Sequence, residues 1–236
     1  MHLLLVGEGV INIVHFGVNL RDKAGGLYLT RDNYVTVNTK SSLDSNIVYD
    51  SNFCKIYTEN CLKNFDVNMK HFCSLDPSDF NQTLFKFLQR FSEFKEIKSL
   101  QEVDGKSGYY ILVLDKYCQV YIGTSKNIKQ RIMYHWSKTK QFDRLIFGTI
   151  ETSILSIDSF RALDTTRIFI SLNDNTYSIE NTYIDSFDKR YILNRTAGGI
   201  MLNGLSDAMK YGRGRNQTTL EQNTLLNSLR NLLKQK

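Results

Sequence analysis

Residues 108–135 read GYYILVLDKYCQVYIGTSKNIKQRIMYH, and this stretch decides the fold. It contains two short apolar runs, at residues 111–114 and 118–122, separated by residues 115–117, whose sequence DKY is turn-like. Two runs rich in aliphatic and β-branched residues on either side of a turn predict an antiparallel β-hairpin.

Each predicted strand carries a tyrosine and a glycine. Gly108 opens the first strand and Gly123 closes the second, where a residue without Cβ lets the backbone turn or approach a ligand closely. Tyr110 and Tyr121 are expected near the same end of the hairpin, because the two strands run side by side.

An amphipathic helix is predicted after the second strand. Its apolar positions recur every four residues, at Ile128, Ile132 and Trp136. Thr124 and Ser125 are suitable caps for its start, and the helix is expected to run to about Ser137. Arg131 and His135 are also four residues apart, so they share a second face. The pattern therefore gathers two phenols, a guanidinium and an imidazole.

These motifs resemble those of the GIY-YIG nuclease family. The first motif reads GYY at residues 108–110, with tyrosine in place of the middle isoleucine, and the second reads YIG at residues 121–123. The arginine of the family and its histidine or tyrosine one turn later fall on Arg131 and His135. The resemblance covers residues 106–200.

The resemblance also implies a metal-binding glutamate on a later helix, for which Glu180 is preferred. Its helix would have an apolar face made of Ile179, Tyr183, Ile184 and Phe187. Glu151 is the alternative, but it precedes threonine and serine in a β-rich stretch. The asparagine that the family carries beyond its glutamate falls on Asn194, ahead of Gly198 and Gly199.

The chemistry explains why these residue types belong together. Hydrolysis of a phosphodiester needs an activated water and neutralised charge on the phosphoryl oxygens. By resemblance, Glu180 holds one Mg²⁺ or Mn²⁺ per active site, and Arg131 offers a charged fork for a phosphate oxygen. Either Tyr110 or Tyr121 activates the water. A phenol with a pKa of about 10 then needs help from the metal, Arg131 or His135.

The resemblance thus implies a DNA endonuclease of the α/β (α+β) class that leaves a 5′-phosphate and a 3′-hydroxyl. Its catalytic domain would have a small three-stranded antiparallel sheet flanked by helices. The predicted catalytic residues are Tyr110, Tyr121, Arg131, His135, Glu180 and Asn194. Structural roles are the alternative: the tyrosines as strand packing, Arg131 as a surface residue, His135 as an interfacial residue, and Asn194 as a turn.

Composition agrees with a nucleic-acid partner. The chain has 236 residues, a net charge of +6 and a pI near 9.0, which suits a polyanion. The predicted DNA-contacting residues are Lys126, Lys129, Lys210, Arg213 and Arg215. No run of eighteen apolar residues is present, so we expect a cytoplasmic protein without a membrane span. Four cysteines without a compact pairing pattern predict free thiols, although His71 near three of them could make a zinc site.

Three segments are expected. Residues 1–105 form an N-terminal mixed α/β region that would recognise the substrate or a partner, with one helix starting at Asp76 and Pro77. Residues 106–200 form the nuclease domain. Residues 201–236 contain a basic loop and a leucine-lined helix, which could pack on the catalytic domain or form a homodimer.

Restriction or defence against foreign DNA is the expected role, because the sequence lacks the tail of homing relatives and the extra domains of repair relatives. A homing or mobile-element nuclease and a structure-specific repair nuclease remain alternatives. From another class, the chain could be a nucleic-acid-binding module without turnover, or a protein-interaction module.

Overall fold

The computed structural model describes residues 12–21, 26–174 and 179–195. Several predicted features lie outside these residues: Lys210, Arg213, Arg215, Gly198, Gly199 and the C-terminal helix. The described helices are α1 (Arg31–Tyr34), α2 (Ser51–Cys73), α3 (Pro77–Arg90), α4 (Ile128–Ser137) and α5 (Glu180–Ser186). The described strands are β1 (Asn12–His15), β2 (Val18–Arg21), β3 (Lys95–Ile97), β4 (Gly108–Leu114), β5 (Gln119–Ser125) and β6 (Arg167–Leu172).

Short 3-10 turns connect many of these elements. They span Leu100–Val103, Asp115–Tyr117, Phe142–Arg144, Ile157–Ser159, Ala162–Asp164 and Lys189–Tyr191. Helices and antiparallel strands occur together, as the α+β class predicts. None of the helices in the described ranges is long and apolar enough to cross a membrane.

The main sheet is antiparallel and has the strand order β3-β6-β4-β5. The expected three-stranded sheet is therefore wrong by one strand. The additional strand, β3, comes from the segment assigned to the N-terminal region, and its Lys95 and Ile97 lie opposite Ile170 and Ile168 of β6. Pairing with β3 satisfies backbone groups of β6 that would otherwise form an open sheet edge.

The predicted hairpin is confirmed. Strands β4 and β5 pair in antiparallel fashion, with Tyr110 opposite Gly123 and Leu112 opposite Tyr121. Strand β5 runs two residues beyond Gly123, where it was expected to close, so the two residues predicted to cap the next helix are strand residues. Asn127 caps α4 instead, because its side chain accepts the backbone N–H of Gln130.

Every residue of β4 is buried, since the strand packs against a different core on each face. One face carries Tyr110, Leu112 and Leu114 and packs with apolar residues of α2. The other carries Tyr109, Ile111 and Val113 and packs with α3 and α5. A strand buried on both faces reads as a continuous apolar run, which is how this segment appears in the sequence.

Helix α2 holds the loop that follows residue 149. The side-chain amides of Asn64 and Asn68 both donate to the carbonyl of Ser153, at 2.8 and 2.9 Å. Asn64 also donates to the carbonyl of Ile150. Both asparagines are fully buried, so these bonds tie the loop after residue 149 to the longest helix of the described chain.

Two other predictions concern the N-terminal half. The helix expected at Asp76 and Pro77 is confirmed as α3, with Asp76 capping it and Pro77 in its first turn. The four cysteines are free thiols. Nowhere in the described ranges do three or more His, Cys, Asp or Glu residues gather to hold a metal, so the alternative zinc site near His71 has no support there.

Candidate active site

A cavity of about 570 Å³ lies between the end of the hairpin, α4 and the start of α5. All six residues predicted to be catalytic line it: Tyr110, Tyr121, Arg131, His135, Glu180 and Asn194. Glu151, the alternative to Glu180, does not. The cavity also receives three charged residues that the sequence analysis did not select: Lys140, Asp158 and Arg195.

The glycines of the two motifs have separate structural reasons. A Cβ on Gly123 would lie 2.5 Å from Tyr110 Oη and 2.9 Å from Tyr121 Cε1, so only glycine leaves room for both phenols. Gly108 has a φ of +149°, and a Cβ there would collide with the carbonyl of Ser171 on the neighbouring strand. Gly108 thus permits strand pairing, and Gly123 leaves room for the two phenols of the cavity.

Tyr110 and His135 are the buried centre of the cavity wall. The Tyr110 hydroxyl lies 2.9 Å from His135 Nε2, and His135 Nδ1 lies 2.6 Å from Asp158 Oδ1. His135 is 1% exposed and Tyr110 is 0% exposed, so the hydrogen bond between them is shielded from water. The three side chains form a continuous hydrogen-bonded chain that starts at the cavity and ends on a loop carboxylate.

Neither phenol is acidic enough to ionise at neutral pH on its own. Burial raises the pKa of Tyr121 to about 12 and that of Tyr110 well above its ordinary value. The guanidinium of Arg131 opposes both shifts, because its positive charge favours a phenolate. Arg131 is itself an exposed residue at the rim, with its guanidinium 5.6 Å from the ring centre of Tyr134.

Glu180 presents a desolvated carboxyl group at the first residue of α5. It is 7% exposed. Burial raises its pKa to about 7, and the Arg131 charge and the Thr124 backbone N–H only partly oppose that shift. The helix is held in place by Tyr183, which packs edge-on against Tyr109 of the first motif.

Glu180 is the cavity residue whose carboxyl group could hold a hard divalent cation. A buried carboxyl with a raised pKa would have its charge restored by an ion, and the ion would displace the proton. Since the described residues offer no larger cluster of metal-binding side chains, the protein would supply a single carboxylate. Mg²⁺ accepts such a site, because it keeps several of its waters.

Asn194 uses its amide within the protein. Its Oδ1 accepts the backbone N–H of Ile122 at 3.0 Å, and its Nδ2 donates to the carbonyl of the same residue at 2.7 Å. Ile122 stands between Tyr121 and Gly123. The contacts of Asn194 therefore position the second motif, which differs from the turn given as its structural alternative, and its catalytic role stays a prediction.

The two predicted DNA contacts in the described chain differ. Lys126 is exposed. The ammonium of Lys129 instead donates to Asp104 Oδ2 at 2.6 Å and to Gln101 Oε1 at 2.9 Å, so it is committed to a protein ion pair. Neither lysine lines the cavity.

The three additional charged residues could not be found from local spacing. Arg195 donates to the carbonyls of Ile154, Arg144 and Leu145, all of which are far away in the sequence. Lys140 lies 3.9 Å from Asp158, and burial lowers its pKa. With Arg131 these residues bring three basic side chains to a cavity that has two carboxyl groups, a balance that favours an anionic ligand.

In the sequence, Asp158 follows the stretch SILSI at residues 153–157 and lies outside the GIY-YIG motifs described above. Its only sequence signal is its place after a serine that caps a turn, and such signals are common.

Comparisons with family models, curated proteins and solved structures find no match for this chain. The assignment of function therefore rests on the residues and on their geometry.

Proposed function

We propose that this protein is a metal-dependent DNA endonuclease of the GIY-YIG type. One observation carries the proposal: six residues predicted from the sequence, spread over 85 positions from Tyr110 to Asn194, line one cavity. Chance placement of a tripeptide does not explain the convergence of two strands, a helix and a distant glutamate on the same space.

Phosphate binding is the first step that the residues explain. The Arg131 guanidinium at the rim is a planar, permanently charged donor, which matches two oxygens of a phosphate better than an ammonium does. Lys140 adds a second charge deeper in the cavity, where reduced solvent strengthens the attraction. These two side chains would hold the scissile phosphate against the phenols.

Glu180 would bind the divalent ion, Mg²⁺ or Mn²⁺. When bound, that ion would neutralise charge on the phosphoryl oxygens and on the departing alkoxide. Arg131 stabilises the charge that develops on the phosphate and requires no rearrangement for this, because α4 already holds it at the rim.

A phenol of the hairpin would take the proton from the attacking water. Tyr110 and Tyr121 both border the cavity, with their ring centres 6.2 Å apart. Their raised pKa values mean that the phenol acts by exchanging protons with a neighbour rather than as a free phenolate. Attack of this water on phosphorus, with cleavage of the bond between phosphorus and O3′, would leave a 5′-phosphate and a 3′-hydroxyl. Restriction of foreign DNA remains the proposed role.

The test is cleavage of supercoiled plasmid and of branched DNA with Mg²⁺, Mn²⁺ or a chelator. We expect metal-dependent cutting by the wild type and none by Glu180→Ala. Arg131→Lys keeps the charge but loses the fork, so the rate should fall by about 10²–10³-fold. Arg90→Lys is the matched control, because Arg90 is also on a helix beside an aromatic ring, at 5.1 Å from Phe91.

Discrete plasmid bands would support sequence recognition, whereas cutting confined to branched DNA would favour a repair role. If the wild type binds DNA but leaves both substrates intact with either metal, the endonuclease proposal is wrong. The protein would then be a nucleic-acid-binding module that uses the same cavity.

A further inference from the structure

We propose that Asp158 is a positioning residue that sets the protonation pattern of His135 and thereby selects Tyr110, not Tyr121, as the base. This inference rests on the proposed nuclease function and adds two things to it. It assigns a role to a loop carboxylate outside the recognised motifs, and it chooses between the two tyrosines.

The first step concerns hydrogen-bond donors and acceptors. Asp158 Oδ1 lies 2.6 Å from His135 Nδ1, and an ionised carboxylate only accepts, so the nitrogen must carry the proton. In a neutral imidazole the other nitrogen, Nε2, is then an acceptor. The hydroxyl of Tyr110, 2.9 Å away, must therefore donate to it.

Asp158 is ionised in this arrangement. Burial favours its neutral form, but the hydrogen bond from His135 and the charges of Lys140 and Arg131 hold its pKa below the usual range. The carboxylate is also held in position by a 3-10 turn, Ile157–Ser159, in which Ser156 Oγ accepts the Asp158 backbone N–H. The turn therefore presents a negatively charged acceptor to His135.

Tyr121 is not part of this chain. Its ring stands roughly perpendicular to that of His135, with centroids 5.2 Å apart, and within the described structure no hydrogen bond joins the two. Edge-on packing fixes the imidazole laterally but offers no route for a proton. Tyr110 is therefore the phenol that can pass a proton directly to His135.

The proposed step is balanced as follows. The water oxygen forms a bond to phosphorus while one water proton moves to the Tyr110 oxygen, and the Tyr110 proton moves to His135 Nε2. The bond between phosphorus and O3′ breaks, its electron pair stays on O3′, and that oxygen takes a proton from solvent. Asp158 stabilises the resulting imidazolium, which later releases its proton to solvent.

The groups facing His135 define the environment of this proton. Lys140 and Asp158 face it from the chain that follows α4, and Arg131 faces it from α4 itself. Tyr110 and Tyr121 face it from the sheet. The two cations oppose an imidazolium and Asp158 favours it. Removing the Asp158 charge therefore makes the protonated histidine harder to form.

The first measurement is the tautomer of His135, read from ¹⁵N chemical shifts of the imidazole in the wild-type protein. The chain has four histidines, and His135→Gln identifies the signal. At a pH where the ring is neutral, we expect the proton on Nδ1. A proton on Nε2 would overturn the inference. This measurement needs no substrate, so it decides which nitrogen of His135 carries the proton whether or not the protein cuts DNA.

The second measurement is cleavage by Asp158→Asn. An amide can donate to Nδ1 and favour the other tautomer, so kcat should fall by about 10²–10⁴-fold while KM changes little. Asp158→Glu keeps a carboxylate and should recover part of the rate. Asp143→Asn is the control, because Asp143 is also a loop carboxylate with hydrogen bonds, to Ser42 and Tyr49, and it does not line the cavity.

The pH profile separates a positioning role from a merely structural one. Wild-type activity should fall as His135 becomes protonated on the acid side, and Asp158→Asn should move that limb to lower pH, since loss of the carboxylate lowers the pKa of the ring. Unchanged kcat and an unchanged acid limb in Asp158→Asn, with active wild type, would overturn the role of Asp158. An inactive wild type that still carries its proton on Nδ1 would instead overturn the nuclease proposal and the choice of Tyr110 as its base, while the positioning of His135 by Asp158 would stand.

Discussion

Glu180 holds its carboxyl group where burial opposes the charge, and this affects folding. The ordinary pKa of the group is 4.5, and in the folded protein it is about 7. Below 4.5 both states keep the proton. As pH rises from 4.5 to 7 the unfolded chain releases the proton before the folded chain does, so stability falls. Above 7 the folded protein carries the full penalty of a buried charge.

Glu180→Gln is therefore expected to stabilise the metal-free protein at high pH. The amide keeps the shape of the side chain and removes the charge, so the gain in unfolding free energy should grow by roughly 1–3 kcal/mol between pH 5 and pH 8. Urea unfolding at both pH values measures it. Mg²⁺ should reduce the difference in unfolding free energy between Glu180→Gln and the wild type, because the ion would bind only the wild-type native state.

The exposed Glu59 on α2 offers a control, since Glu59→Gln removes a charge that water already solvates. It should show no comparable growth with pH. Equal stability of Glu180→Gln and wild type at pH 8 would mean that the carboxylate is well solvated, and the argument for a desolvated metal ligand would fail.

Strand β5 places the second motif with two devices. The amide of Asn194 holds both backbone groups of Ile122, and Gly123 leaves the space that Tyr110 occupies. The hydrogen bond between Tyr110 and His135 depends on both, because a shift of the strand moves the phenol away from α4. Gly123 would thus affect the proposed proton path without taking part in it.

Gly123→Ala should therefore damage the site more than the fold. Its new Cβ would lie 2.5 Å from Tyr110 Oη, so the phenol must move away from His135. We expect a loss of about 1–3 kcal/mol in unfolding free energy, as for other overpacked positions, together with a severe loss of cleavage. Thermal unfolding and plasmid cleavage measure the two effects.

Gly105→Ala is the matched control for this change. Gly105 has a φ of +69°, so alanine is strained there, but its Cβ would meet no atom within 4 Å. It should lose stability and keep its cleavage rate per folded molecule. If both variants lose the same fraction of activity, the close approach at Gly123 does not matter to the site.

At the scale of the whole molecule, the N-terminal segment and the motif-bearing segment form one structure in the described ranges. Strand β3 extends the sheet, and apolar residues of α2 pack into the same core as Tyr110. Asn64 and Asn68 hold the loop that precedes Asp158. The N-terminal segment thus supports a wall of the cavity, in addition to any part that it takes in recognition.

The charge of the molecule gives a prediction for DNA binding. Because the net charge is +6 and the cavity is basic, we expect the affinity for DNA to fall as the salt concentration rises. The slope of log K against log salt should be proportional to the number of phosphate contacts. Exposed Lys126 lies next to Ser125 at the cavity, so Lys126→Ala should reduce the slope of log K against log salt by about 0.9. Fluorescence anisotropy with a labelled duplex and a chelator measures this slope without cleavage.

Lys129→Ala, in the first turn of α4 and three residues after Lys126, is the comparison. Because the charge of Lys129 is paired with Asp104, it is not free to neutralise a DNA phosphate and to release a counterion from the DNA. We expect a smaller change in slope than for Lys126→Ala. Equal changes for the two variants would show that the pair opens when DNA binds.

The sequence by itself determined the hairpin, α4 and the start of α3. Alternation, spacing of four and a capping aspartate are local signals, because they arise from contacts between residues close along the chain. The motif order also brought out all six cavity-lining residues that were predicted, including the preference for Glu180 over Glu151. These features need no knowledge of how distant segments meet.

Only the tertiary structure showed the fourth strand of the sheet, the hydrogen bonds of Asn194 to the backbone of Ile122 and the partners of His135. Asp158 follows His135 by 23 residues and reaches it through a turn whose position depends on α2. Arg195 contacts carbonyls 41 to 51 residues away. No periodic pattern encodes such contacts, because the energy that places them comes from the packing of separate elements. The motifs could therefore identify the candidate site residues, whereas the hydrogen-bonded chain from Tyr110 through His135 to Asp158 depended on the folded structure.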